Sequence, residues 1–134
     1  MQAAKPYLEA CVERGVLVLT LIQEQIEGED AALALKDEML ATLAHHAIYR
    51  VALDFRHTRY VSSIAFWPLL ALKRQLAEYG GRLLVCGLTG AVHDIFTTTK
   101  MVSSAGSLNA PFEMAPDREA AVALLAEDGT NQTH

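Results

Sequence analysis

The stretch RVALDFRHTRYVSSIAFWPLLALKRQLAEYGGRLLVCGL, residues 50–88, decides the fold. Its first six residues, RVALDF, and its last seven, RLLVCGL, are short apolar runs of the kind that forms strands buried on both faces. Between them Leu69, Leu72, Leu76 and Tyr79 recur at helical spacing, while Lys73, Arg74, Gln75 and Glu78 supply a wet side. That periodicity predicts a helix over 64–79. Gly80-Gly81 then stops it, with a glycine in the left-handed conformation. Two buried strands joined through an amphipathic helix imply parallel pairing, because the helix carries the chain back across the sheet.

The flanking segments extend the same pattern. VLVLTLI, residues 16–22, is a third strand buried on both faces, and YLEACVE before it alternates weakly, as an edge strand paired across the Arg14-Gly15 turn would. Asp30 in the GED segment is an expected N-cap for a helix over 31–47, with Ala32, Leu35, Met39, Leu43 and Ala47 on its apolar face. Thr89 is placed to cap a helix over 90–100. SLNAPFEMA reads as a last, weaker strand whose Pro111 suits an edge. Pro116-Asp117 opens a helix over 117–126. The fold class is α/β: a four- to five-stranded mixed, largely parallel sheet flanked by about four helices. One domain is expected across residues 1–134, with its core at about 7–126 and a frayed tail over 127–134.

Composition narrows the function. At 134 residues, 51% apolar and 20% charged, the chain can bury a core and is not disordered. Its net charge of −5 and lack of a Lys/Arg cluster argue against nucleic acid or an anionic membrane as partner. Cys11 and Cys86 both lie in apolar runs and read as buried, reduced thiols. No stretch approaches the ~20 apolar residues of a membrane span. MQAAKPYLEA lacks the apolar core of a signal peptide, so a cytoplasmic location is expected.

Catalytic motifs are missing. There is no GxxxxGK[ST] or GxGxxG phosphate loop, and no G-x-S-x-G elbow around a serine. His45 and His46 are neighbours at a helix end, while His57 and His93 have no cysteine or carboxylate at a metal-ligand spacing. Asp54 resembles the phosphorylated aspartate of response-regulator receivers only in sitting on a strand, because QEQIEGED does not supply their acidic pair after the first strand. Asp54 instead reads as an organiser of the loop that follows it. No enzyme activity, cofactor or metal is expected.

A family resemblance remains. Leu53-Asp54-Phe55, Gly80-Gly81, Arg82-Leu83, Cys86, Val92, Phe96 and Thr99 fall, in order and spacing, where the STAS domain of anti-sigma factor antagonists has such residues. Essentially the whole domain, about residues 7–126, resembles that family. Its loop after the second long strand reads roughly D-S-S/T-G-L-G. Counting back from Gly80-Gly81, Ser62 takes the place of the aspartate and Ser63 that of the phosphorylated serine. Ile64, Ala65, Phe66 and Trp67 then replace the second hydroxyl, the glycine, the leucine and the second glycine. A register shifted by one makes Ser62 the acceptor.

The resemblance implies a regulatory module that binds a serine-kinase-type anti-sigma factor and is switched by phosphorylation at Ser63, alternatively at Ser62. It would act as a monomer or weak homodimer. Arg59, Ser62, Ser63 and Trp67 are the expected partner-binding residues, with Trp67 either an exposed anchor or part of the core. One serine is expected to cap the helix, Ser62 rather than the more accessible Ser63. Two other readings stand beside this one: an unphosphorylated scaffold subunit of a signalling or lipid-transport assembly, and a binder of an apolar small molecule or lipid.

Overall fold

The computed structural model describes residues 6–104 and 110–131. Strands β1 (Leu8–Glu13) and β2 (Val16–Leu21) form an antiparallel hairpin, and the short β3 (Gln25–Ile26) leads into helix α1 (Glu29–His46). Next come β4 (Arg50–Asp54), the short β5 (Tyr60–Val61), a 3-10 turn at Ser63–Ala65 and helix α2 (Phe66–Ala77). The chain continues through β6 (Arg82–Cys86), α3 (Gly90–Thr98), β7 (Val102–Ser104), β8 (Phe112–Ala115) and α4 (Arg118–Asn131).

Among the described residues the main sheet has six strands in the order β1-β2-β4-β6-β8-β7, and only the β1–β2 pair is antiparallel. β2, β4 and β6 lie at its centre. Their side chains divide between two cores, as strands buried on both faces require. Leu17, Leu19, Leu53 and Val85 point into the larger core under α1, α2 and α3, with Leu35, Met39, Leu69, Leu72 and Phe96. Val16, Val18, Ala52, Leu84 and Cys86 meet Ala121, Val122 and Leu125 of α4 on the other face.

The elements read from the sequence are present, with several corrections. β8 is an inner strand: β7 adds itself outside it, so Pro111 precedes β8 and does not mark a sheet edge. The SLNA part of that expected strand begins in a segment outside the described residues. α1 starts at Glu29 with Gly28 at its N-cap, and Asp30 lies in the first turn, where its charge favours the helix dipole without a capping bond. Gly80 does adopt the left-handed conformation (φ 69), and the Gly81 N–H closes α2 on the Leu76 carbonyl at 2.8 Å. Tyr79 is not on the inner face; it is exposed and stacks on Tyr49, ring centroids 4.2 Å apart. α4 runs past residue 126 to Asn131, its first turn capped by the Asp117 carboxylate on the Ala120 N–H at 2.8 Å.

Leu53→Ala, which empties part of the doubly buried centre, is expected to lower the unfolding free energy by about 2–5 kcal/mol. Leu33→Ala, on the exposed side of α1, should change it by less than about 0.5 kcal/mol. Urea midpoints of the two variants measure the difference, and near-equal losses would contradict the central placement of β4.

Candidate functional site

β2, β4 and β6 end together at the carboxyl edge of the sheet, where Thr20, Asp54 and Cys86 stand side by side in register. The loops leaving this edge are fastened to each other. β3 pairs with β5 in parallel. The Thr58 hydroxyl donates to the Gln23 carbonyl at 3.0 Å. The Arg59 and Tyr60 N–H groups both donate to the Glu24 carbonyl, at 2.7 and 3.1 Å, and the Ser62 N–H to that of Ile26 at 3.0 Å. The segment leading to the two serines is thus laid along the loop that follows β2, and its backbone donors are satisfied there.

Ser62 and Ser63 enter the next helix differently. Ser62 has extended backbone (φ −89, ψ 164) and occupies the N-cap position of the 3-10 turn, with its carbonyl accepting the Ala65 N–H at 3.0 Å. Its side chain makes no capping bond, contrary to the expected role, and its enclosed Oγ has no hydrogen-bond partner among the described residues. Ser63 is exposed at the first position of the turn. The turn runs directly into α2, whose third residue is Pro68; lacking an N–H, proline fits a first helical turn, where donors have no intrahelical acceptor.

The aromatic pair at the start of α2 splits between core and surface. Phe66 is buried edge-on against Phe96, centroids 4.9 Å apart. Trp67 is 65% exposed. It walls a groove of about 410 Å³ between α1 and α2 with Leu33, Lys36, Pro68 and Arg74. Leu33, more than half exposed beside it, continues the apolar surface. Arg59 is exposed at the same carboxyl edge. The structure therefore gathers Asp54, Arg59, Ser62 and Ser63 at one edge and sets Trp67 on the adjoining helix face. Leu33 and Lys36 were not legible as part of this surface, since nothing in the periodicity of α1 says which neighbour its outer face meets.

Asp54 is the last residue of β4 and only 1% exposed. Its Oδ1 accepts the Arg56 N–H at 3.0 Å and so turns the chain sharply out of the strand. Arg56 Nε stands 3.7 Å from Oδ2, an ion pair too long for a hydrogen bond, and Oδ2 accepts none from the described residues. Gly87, the residue after β6, makes this arrangement possible. It has φ 72, and a Cβ there would lie 2.5 Å from Asp54 Oδ1 and 3.0 Å from the Arg56 nitrogen. Next to Asp54, the Cys86 thiol is pushed up to about 12, chiefly by burial and further by the Asp54 and Asp117 charges. It is a core thiol and not a nucleophile. Cys11, by contrast, is exposed on the edge strand and not buried as its apolar run suggested.

Comparison with known proteins identifies the architecture. The family model described as STAS domain matches residues 7–117. No curated protein matches the chain by sequence. Among solved structures it is similar to a candidate anti-sigma factor antagonist from Thermotoga maritima, with TM-score 0.70, 10% identity, and 88% of this chain and 93% of that one covered. It is also similar to a serine-to-glutamate variant of RsbS from Moorella thermoacetica, with TM-score 0.66, 15% identity and 92% and 97% covered. A third likeness is to the anti-sigma factor antagonist SpoIIAA in its unphosphorylated form, with TM-score 0.59, 15% identity and 94% and 99% covered. The phosphorylated form of the Bacillus cell fate determinant SpoIIAA gives TM-score 0.58 at 14% identity, with 95% and 99% covered.

Two outcomes test this geometry. Gly87→Ala should destabilise the fold by more than about 1 kcal/mol, because the methyl strikes the Asp54 carboxylate and the backbone must hold a positive φ; a wild-type melting temperature would refute the close approach. A thiol reagent in native buffer should label Cys11 and leave Cys86 untouched until the protein unfolds. The Cys86 thiol also sets an alkaline limit. Below about pH 9 both folded and unfolded states hold it neutral, and its contribution is fully present. Between about 9 and 12 only the unfolded chain ionises it, so stability falls as pH rises. Cys86→Ala should flatten that part of the pH–stability curve.

Proposed function

We propose a regulatory protein-binding role for this chain, which belongs to the STAS-domain family: it is an anti-sigma factor antagonist that binds a serine-kinase-type anti-sigma factor and is released by phosphorylation of Ser63. The partner supplies the ATP, and the chain itself is no enzyme. It works in the cytoplasm. The observation that carries this reading is the contrast between the two serines. The Ser63 side chain is open to an approaching kinase at a helix start, while the Ser62 oxygen is enclosed.

The chemistry of the position supports a switch. A phosphate adds about −1.5 to −2 charges at pH 7, and a helix N-terminus tolerates that charge without unfolding. The same charge in a protein interface must be desolvated or meet like charge, which breaks the complex. Arg59 at this edge and Trp67 on the adjoining face flank the serine as partner contacts, one charged and one apolar. Fixing the loop along the Gln23–Ile26 segment presents Ser63 in one geometry and limits the entropy lost on binding. A STAS protein of similar fold has been described in both unphosphorylated and phosphorylated forms, in keeping with such a switch.

Co-expression with the anti-sigma factor of its host, followed by binding measurements, tests the proposal. Ser63→Ala should bind that partner and resist its kinase activity. Ser63→Asp should weaken binding by about tenfold or more. Trp67→Ala should cost binding without unfolding the protein, since the side chain is mostly exposed. Wild-type binding by Ser63→Asp would reject the switch and favour an unphosphorylated scaffold. Phosphate mapped to Ser62 would overturn the assignment of the acceptor.

A further inference from the structure

We propose that the open cleft on the α4 side of the sheet binds a small zwitterion of the α-amino-acid class, its ammonium donating to Asp54 and its carboxylate paired with Arg14 and Arg56. The cleft, of about 570 Å³, lies away from the Trp67 groove. It is bounded by the β1–β2 turn, the carboxyl ends of β4 and β6, and the first turns of α4.

Its charged groups separate into committed and uncommitted ones. Arg118 reaches from the start of α4 to β1, where it pairs with Glu13 and also approaches the Cys11 sulfur at 3.0 Å, so the Arg118 and Glu13 charges neutralise each other there. Asp117 is occupied in capping the Ala120 N–H. Two groups remain. Asp54 Oδ2 is fully enclosed at the wall of the cleft and accepts no hydrogen bond from any described residue. Arg14, exposed on the β1–β2 turn, makes no hydrogen bond or ion pair with any described residue. A buried carboxylate oxygen left without a donor costs free energy that a bound donor recovers.

The ligand's chemistry follows from these two needs. The inner wall wants a donor, best a charged one, and the rim offers a guanidinium that binds carboxylates bidentately. Arg56, 56% exposed, covers the carboxylate from outside; its Nε stands 3.7 Å from Oδ2 and donates to His57 Nε2 at 3.2 Å, an exposed contact. It can swing to join Arg14 on the ligand's carboxylate while the ammonium takes its place. The lining as a whole carries three guanidinium groups against four carboxylates, Glu119 being the last of these. That balance rejects a polyanion such as a polyphosphate and accepts a ligand of zero net charge.

Titration calorimetry on the full chain tests the site with glycine, L-alanine, L-serine, L-glutamate and L-lysine as probes, and with propionate and ethylamine as single-headed controls. At least one amino acid should bind at one per chain, and neither control should bind comparably. Asp54→Asn keeps an oxygen for the Arg56 N–H but removes the carboxylate, and should lower affinity by about tenfold or more. Arg14→Gln, at a solvent-exposed turn, should do the same and does not depend on how well the Asp54 variant folds. The proposal is overturned if no amino acid binds, if propionate or ethylamine binds as tightly, or if both folded variants bind like wild type. Because the cleft and Ser63 are tested by different variants and probes, this result stands apart from that for the partner switch.

Discussion

The burial of β2, β4 and β6 on both faces is the constraint from which the rest of the structure follows. Each of these strands places apolar side chains above and below the sheet, and each fully buried Leu or Val contributes roughly 1.5–3 kcal/mol. Helices must therefore cover both faces, and parallel pairing is what a chain of strand–helix units produces. Parallel strands in register end together. All the loops that leave their carboxyl ends are consequently brought to one edge, which is why segments distant in sequence, such as Gln23–Ile26 and Thr58–Ser62, come to be hydrogen-bonded there.

Asp54 is the exception that this arrangement permits. On the α4 face its strand runs Ala52, then Asp54, so the carboxylate takes a position where the pattern calls for an apolar residue. Burying it is tolerated because one oxygen holds the Arg56 N–H and because Arg56 lies near the other. Gly87 removes the side chain that would otherwise occupy the same space. The aspartate thus trades core stability for a fixed turn at the exit of β4, and that turn sets where the following loop begins.

Legibility in the sequence tracked how local the cause was. VLVLTLI, RVALDF and RLLVCGL announced themselves because two-sided burial leaves an unbroken apolar run, and the edge strand β1 because a turn and weak alternation mark it. β7 escaped notice since three residues carry no period, and the placing of β8 inside it depends on long-range pairing alone. Cys11 looked buried in a one-dimensional reading, but on the edge strand its sulfur meets the charged Arg118 and Glu13 side chains and stays exposed. At the serine pair, the sequence located the helix start and the acceptor's neighbourhood. It did not disclose that the Ser62 hydroxyl is enclosed without a partner among the described residues, because backbone conformation and long-range pairing with the β3 segment decide that. The cleft was invisible for the same reason: Arg14, Asp54 and Arg118 are separated by tens of residues and meet only through the topology.

The segment between Asp54 and Ser63 connects the two faces of the domain. Its first residues answer to the α4 side, where Asp54 Oδ1 holds the Arg56 N–H and Phe55 N–H donates to the Cys86 carbonyl at 2.9 Å. Its last residues answer to the helical side, where Val61 is buried in the larger core and Ser62 is tied to Ile26. Phe55 itself is buried there, edge-on to Phe96, which in turn packs against Phe66 at the start of α2. A displacement of Arg56 is therefore opposed at its own backbone by Asp54 and one residue earlier by an aromatic cluster that reaches the serine-bearing helix. Packed aromatic contacts of this kind resist small shifts. The backbone of Arg56 is thus held from both sides, while its side chain stands 56% exposed at the rim of the cleft.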